Sequence, residues 1–141
     1  MTDKVFVDSN VLIYAHDLDA QNRHEMAVEV IRRLWQTKTA IISTQVLQEF
    51  YVNITRKIPQ PLSPTLARQV LKNYLCWQVE INYPDTILLA SEIHERHRLS
   101  FWDAMMVAAA VQGGAQSILT EDLNPGQLIE GIRIVNPFRV P

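Results

Sequence analysis

Short apolar runs alternate with longer amphipathic ones along this chain. Val5 to Val7 is wholly apolar and rich in β-branched residues, which predicts a buried strand. Asp-Ser-Asn follows, and the segment VLIYA then predicts a short helix. Asp17 to Asn22 is polar and reads as a loop. Glu25 to Trp35 has helical spacing, with Met26, Val30, Ile31 and Leu34 on one face. Ala40 to Ile42 predicts a second buried strand, and Ser43 and Thr44 after it can cap a helix. That helix spans about Gln45 to Arg56, its apolar face made by Val46, Leu47, Phe50, Tyr51 and Ile54. The prolines of IPQPLSP must end it.

Ser63-Pro64 offers a capping hydroxyl followed by proline at the first helical position, and the pattern continues to about Tyr74. Trp77 to Ile81 reads as a third strand, and Tyr83-Pro84-Asp85 opens a helix to about His97. Phe101 to Gln112 is apolar on most faces, as a buried helix would be, and Gly113 and Gly114 suit its end. Ser117 to Thr120 predicts a fourth strand and Ile132 to Val135 a fifth. Strands alternating with helices predict a central, mostly parallel sheet of four to five strands with helices on both faces.

The 141 residues suit a single domain, 1–141, with room for a core. A hydrophobic share of 48% and a charged share of 20% are those of an ordinary globular protein. A net charge of −2 excludes a globally basic nucleic-acid binder but leaves room for a local basic patch. The one cysteine, Cys76, cannot form an internal disulfide, which fits the cytoplasm. No secretory signal is expected at the N-terminus, and the longest uninterrupted apolar run, Ala104 to Val111, is too short to span a bilayer.

Four acids change this picture. Asp8 closes the first apolar run, and Asp122 follows the run at Ser117 to Thr120. Both therefore belong at the carboxyl edge of a parallel sheet, where sites form. Asp103 opens the helix that feeds the fourth strand, so its end returns to that edge. Glu49 lies near the start of the helix leaving the second strand there. Carboxylates brought together repel one another and raise each other's pKa, so the arrangement serves to bind a cation. Mg²⁺ and Mn²⁺ prefer such oxygen ligands and leave room for a phosphate. A cation so held can polarise a phosphodiester and stabilise its leaving oxygen, and two can clamp both reacting oxygens. Asp8, at the centre of the edge, is the best bridging ligand.

Each acid also has a plainer reading. Ser100 and Asp103 fit a capping box, Glu49 can be a solvated helix residue, and Asp122 can be a turn residue. Asp8 is hardest to dismiss, because an acid directly after a buried strand needs a partner.

At these residues the chain resembles the PIN-domain family of metal-dependent nucleases, most closely the VapC-type ribonuclease toxins of prokaryotic toxin–antitoxin pairs. The matching blocks are VDSNVLIYA, QVLQEFYVNITRK, FWDAMMVAAAVQGGA and ILTEDL, in order and across essentially the whole chain. The resemblance implies a three-layer α/β/α fold and cleavage of single-stranded RNA with Mg²⁺ or Mn²⁺. It implies that Asp8, Glu49, Asp103 and Asp122 form the acidic site, with Ser9, Asn10 and Thr120 supporting them. It also implies a homodimer and a small antitoxin whose C-terminal segment covers the site. Many relatives carry a further acid two residues after Asp122, where this chain has Asn124. Glu121 is expected to point elsewhere, so three acids with a variable fourth ligand describe the site best.

Glu49, Asn53 and Arg56 are spaced to share a helical stripe, so RNA held at the acids can extend toward Arg56 and Lys57. As cations at a helix C-terminus, both also suit the helix dipole alone. Arg23 and His24 can flank the same edge. His94 and His97 lack the further ligands of a zinc site and fit a solvated face better. Trp35, Trp77 and Trp102 can stack bases, though packing is the simpler role.

Two other function classes remain open. A haloacid-dehalogenase-type phosphatase needs D-x-D after the first strand, where this chain has D-S-N, and no strand-end lysine suits a receiver. A catalytically silent PIN-like module that binds RNA or a protein partner is the other.

Overall fold

A computed structural model describes residues 3–139 of the chain. Strand β1 (Val5–Val7) leads through Asp8 into α1 (Ser9–His16). Helix α2 (Asn22–Thr37) is longer at both ends than its apolar spacing predicts, and leads to β2 (Ala40–Ser43). Helix α3 (Thr44–Val52) starts on the Ser43 hydroxyl, which accepts the Val46 amide at 3.2 Å. Ser63 caps α4 (Pro64–Tyr74) in the same way. Strand β3 (Gln78–Glu80), α5 (Pro84–His97), α6 (Phe101–Gly113) and β4 (Ser117–Leu119) follow at the expected places.

Two features differ from the sequence reading. The helix expected to run to Arg56 turns π-helical over Asn53–Lys57, where the Ile58 amide reaches the Asn53 carbonyl. In this turn the Asn53 amide side chain takes the Glu49 carbonyl at 2.9 Å and the Thr55 hydroxyl takes that of Tyr51 at 2.7 Å. Both compete with the backbone ladder. The sheet also has six strands rather than four to five. The extra one, β5 (Leu128–Ile129), is a two-residue edge strand antiparallel to β6 (Ile132–Val135). Glu130 and Gly131 join them with φ of 52° and 78°, the positive pair that a tight hairpin turn requires.

The strand order is β3-β2-β1-β4-β6-β5, parallel except for β5. Helices α1 to α4 cover one face of the sheet, and α5 with α6 cover the other. Helix α6 is buried almost throughout, from Ala104 to Ala110, which is why its sequence is apolar all round. No helix among the described residues is long and apolar enough to cross a membrane.

Phe50 anchors the α3 side of the core. Fully buried, it meets Tyr74 edge-on at 5.5 Å and His16 at 5.3 Å between ring centroids. Phe50→Ala is expected to cost about 3–5 kcal/mol of stability, read by urea unfolding.

Candidate active site

The chain leaves β1 in one direction to build β2 and β3, then returns to the other side of β1 to add β4. This reversal opens a crevice at the carboxyl ends of β1 and β4, the usual place for a site in such a sheet. Asp8 follows β1 there, and Thr120 and Asp122 follow β4. Asp8 is held as the N-cap of α1, its Oδ1 accepting the Ser9 amide at 2.6 Å. Its Oδ2 accepts the hydroxyl of fully buried Thr120 at 2.8 Å. Thr120 Oγ1 in turn accepts the Asp122 amide at 3.0 Å, so one hydroxyl sets both acids. Asn10 Nδ2 faces Asp8 Oδ2 at 3.3 Å, Thr120 Oγ1 at 3.3 Å and Asp122 Oδ2 at 3.1 Å. Ser9 Oγ lies 3.4 Å from Asp8 Oδ1 and 3.3 Å from Glu49 Oε1, and has one proton to give.

The four acids feel one another. Burial pushes the Asp8 carboxyl up to about 6; the bonds from Thr120 and Ser9 oppose this, and the charges of Asp122 and Glu49 add to it. Partial burial raises Glu49, against the Ser9 bond, and the charges of Asp103 and Asp122 raise it further. Asp103 is likewise raised by burial and by the Asp122 charge. Four segments thus deliver carboxylates into a common field that disfavours the charged forms of Asp8, Glu49 and Asp103.

The donor set suits a hard divalent cation, since every candidate ligand is a carboxylate oxygen. Asn10 Oδ1 is a further oxygen there, buried and without a partner. Among the described residues, no three acidic, histidine or cysteine side chains already close into a finished metal cage. An open cluster matches the way Mg²⁺ keeps several waters and takes only one or two carboxylates. Asp103 is available for this. The Ser100 hydroxyl accepts the Asp103 amide at 3.1 Å, but the reciprocal bond that would complete a capping box is not formed.

Thr120→Val tests the support beneath the acids. It removes a donor to Asp8 and leaves the Asp122 amide without its acceptor. Cleavage or cation affinity is expected to fall roughly 10–100-fold. Stability is expected to fall by about 1–3 kcal/mol. A nuclease assay and a thermal melt read the two effects.

The residues singled out beyond the acids divide clearly. Ser9, Asn10 and Thr120 meet at the cluster. Asn53 spends its amide on the Glu49 carbonyl, and the π turn takes Arg56 out of the regular α-helical stripe that its spacing from Glu49 implied. Arg56 and Lys57 are exposed at the end of that turn. His97 binds Glu130 at 2.7 Å while His94 faces the Leu99 carbonyl, so the pair does not converge. Trp35 and Trp77 pack with Tyr74, whereas Trp102, beside Asp103, is 66% exposed. A cavity of about 750 Å³ lined by His16, Trp35 and Tyr74 lies between α2 and α4 and contains none of the acids.

One residue beside the site, Tyr14, escaped the sequence reading. Glu121 turns away from the cluster, as expected, and accepts Tyr14 Oη at 2.5 Å and Arg23 Nε at 3.0 Å. The signal was the spacing of Asn10 and Tyr14, one helical turn apart on α1. They take the consecutive acids Asp122 and Glu121 respectively.

A comparison with curated protein sequences finds no match. Several solved structures share the fold. A toxin–antitoxin complex from Klebsiella pneumoniae is 20% identical with a TM-score of 0.71, covering 97% of this chain and 100% of the other. The toxin VapC20 of Mycobacterium tuberculosis, described as cleaving the sarcin-ricin loop, is 23% identical with a TM-score of 0.63, covering 84% and 90%. DNA-bound VapBC from Salmonella typhimurium is 20% identical with a TM-score of 0.64, covering 94% and 97%. The family model described as the PIN domain matches residues 5–128, which takes in all four acids and both strands that flank the crevice. The chain therefore belongs to the PIN domain family.

Proposed function

We propose that this protein is a metal-dependent endoribonuclease of the VapC toxin type, cutting single-stranded RNA at the crevice between β1 and β4. The observation that carries this reading is the field shared by Asp8, Glu49, Asp103 and Asp122, four carboxylates from separate segments at one sheet edge. These residues would hold Mg²⁺ or Mn²⁺, directly or through water. Once bound, the cation supplies the positive charge that polarises the scissile phosphate and lowers the pKa of the attacking water.

The chain's own residues prepare that step. Thr120 and the Ser9 amide fix the Asp8 carboxylate, so little ordering is left for the moment of binding. Asn10 spans Asp8 and Asp122 and keeps the two from swinging apart. Trp102, beside Asp103, is exposed and free to meet a base of the bound strand.

The similarity to toxin–antitoxin complexes supports a small antitoxin partner that covers the site. The VapC20 description supports RNA as the substrate class. A homodimer and a cytoplasmic location belong to the same reading. A silent PIN-like module that binds RNA or a protein partner is the second reading.

Purified protein mixed with total bacterial RNA separates the two. Discrete fragments are expected with Mn²⁺ and none with EDTA. No cleavage by folded, inhibitor-free protein would favour the binding module. Growth arrest on expression in bacteria, relieved when Asp8 is changed, would support the toxin role.

A further inference from the structure

The acid cluster presents a difficulty for its own substrate. RNA is a polyanion, and the crevice gathers Asp8, Glu49, Asp103 and Asp122 with Glu121 alongside. A cation at the cluster can offset the charge of the phosphate being cut. The phosphates on either side need a partner from the protein, because backbone contacts to basic residues supply most of the affinity for nucleic acid. The exposed cations Arg56 and Lys57 end the π turn, and among the described residues no side-chain hydrogen bond or ion pair orients either of them.

Arg23, in the first turn of α2, is placed differently. Its Nε donates to Glu121 Oε2 at 3.0 Å, and Glu121 directly precedes Asp122. Tyr14 Oη donates to the other Glu121 oxygen at 2.5 Å, so the carboxylate that orients Arg23 is itself held from behind. The guanidinium lies over the Tyr14 ring at 5.7 Å and over the Phe138 ring at 5.9 Å, and these rings meet edge-on. Stacking of this kind restrains a side chain that would otherwise be free to swing. Among the described residues only one of its five N–H donors, Nε, has a hydrogen-bond partner. The two terminal amino groups remain, on a side chain 54% exposed, in the fork that matches two phosphate oxygens.

We propose that Arg23 is a substrate-binding residue that grips an RNA phosphate next to the one at the acid cluster, held out for it by Glu121, Tyr14 and Phe138. The proposal rests on the ribonuclease reading and names the residue that sets the register of the strand across the crevice. Glu121 turns from the cluster because its role is to orient this arginine. A lysine at position 23 would keep the charge and lose the fork.

The test is steady-state cleavage of a single-stranded RNA oligonucleotide with Mn²⁺, repeated over a series of salt concentrations. Arg23→Ala is expected to raise KM about tenfold, the scale of one lost charge-assisted contact, with kcat changed less than about threefold. The slope of log(kcat/KM) against log salt should become shallower by roughly 0.7, one phosphate contact on a single strand. Arg23→Lys should recover the salt slope while KM stays severalfold high. Arg33→Ala, the same charge change at the other end of α2, should match wild type in both.

Removing Arg23 also leaves Glu121 without its counterion, so the double variant Arg23→Ala/Glu121→Gln is needed. KM remaining high in the double variant supports a direct grip. KM returning to the wild-type value would make Arg23 only a counterion for Glu121 and overturn the proposal, as would an unchanged salt slope in Arg23→Ala. Wild-type protein that fails to cut the oligonucleotide overturns the ribonuclease reading and this proposal together.

Discussion

Asp8→Asn is expected to abolish RNA cleavage while the metal-free protein melts no lower than wild type at pH 7 to 8. Both effects follow from the position of this side chain. Asp8 is 6% exposed and sits where β1 ends, between Glu49 and Asp122. A neutral amide removes the charge that a cation would pair with. The loss should exceed the roughly 10–100-fold that follows from disturbing an outer-shell partner. The same change removes a buried negative charge from a field that resists it. The amide oxygen can still accept the Ser9 N–H, and the Thr120 hydroxyl is free to turn. Activity from gel-resolved cleavage and melting by circular dichroism, taken on one preparation, read the two effects. A variant that loses activity and melts well below wild type would make Asp8 a structural residue rather than a ligand. Full activity would remove it from the site altogether.

Raising the pH is expected to cost the metal-free protein the stability that a neutral Asp8 confers. Asp8 titrates near 6 when folded, against an ordinary 3.8 when unfolded. Below 3.8 both states carry the proton, and the stability conferred by the neutral group is fully present. Between 3.8 and 6 the folded state holds a proton that the unfolded chain has released, so stability falls as pH rises. The loss is complete above the folded value and amounts to about 3 kcal/mol for Asp8 alone. Glu49 and Asp103 are raised as well and act in the same direction. Urea unfolding in EDTA at pH 4.5 and pH 7 measures the difference. A divalent cation that binds only the folded state should restore stability at pH 7. His16, Glu29 and Glu130 are shifted down and act in the opposite direction, so the same pair of measurements on Asp8→Asn isolates the Asp8 share. A change from pH 4.5 to 7 that is equal in wild type and Asp8→Asn would contradict the raised Asp8 carboxyl.

Much of this architecture was legible in the chain. Wholly apolar runs such as Val5–Val7 and Ala40–Ile42 mark strands buried on both faces, and Ser43, Ser63 and Ser100 mark helix starts by their hydroxyls. The convergence of the four acids followed from a topological rule applied to strand ends, and the family model spans the same segments. What stayed hidden depended on contacts remote in sequence or on very short elements. Leu128–Ile129 is too short to show any period. The π turn at Asn53–Lys57 comes with two side chains competing for carbonyls, which helical spacing cannot reveal. The pairing of Arg23 with Glu121 joins residues 98 positions apart. Asn10 was placed from a resemblance, and the structure adds the reason: its amide reaches Asp8, Thr120 and Asp122 at once.

The most direct test of the account is a calorimetric titration of Mn²⁺ into the metal-free protein at pH 6, in two buffers that differ in ionisation heat. Saturable binding is expected, with protons released as the raised carboxylates, Asp8 foremost, give theirs up. The same titration into Asp8→Asn should show binding weakened or lost. A folded wild-type protein that takes up no Mn²⁺, or takes it up equally well without Asp8, would contradict the claim that these four acids form a cation site.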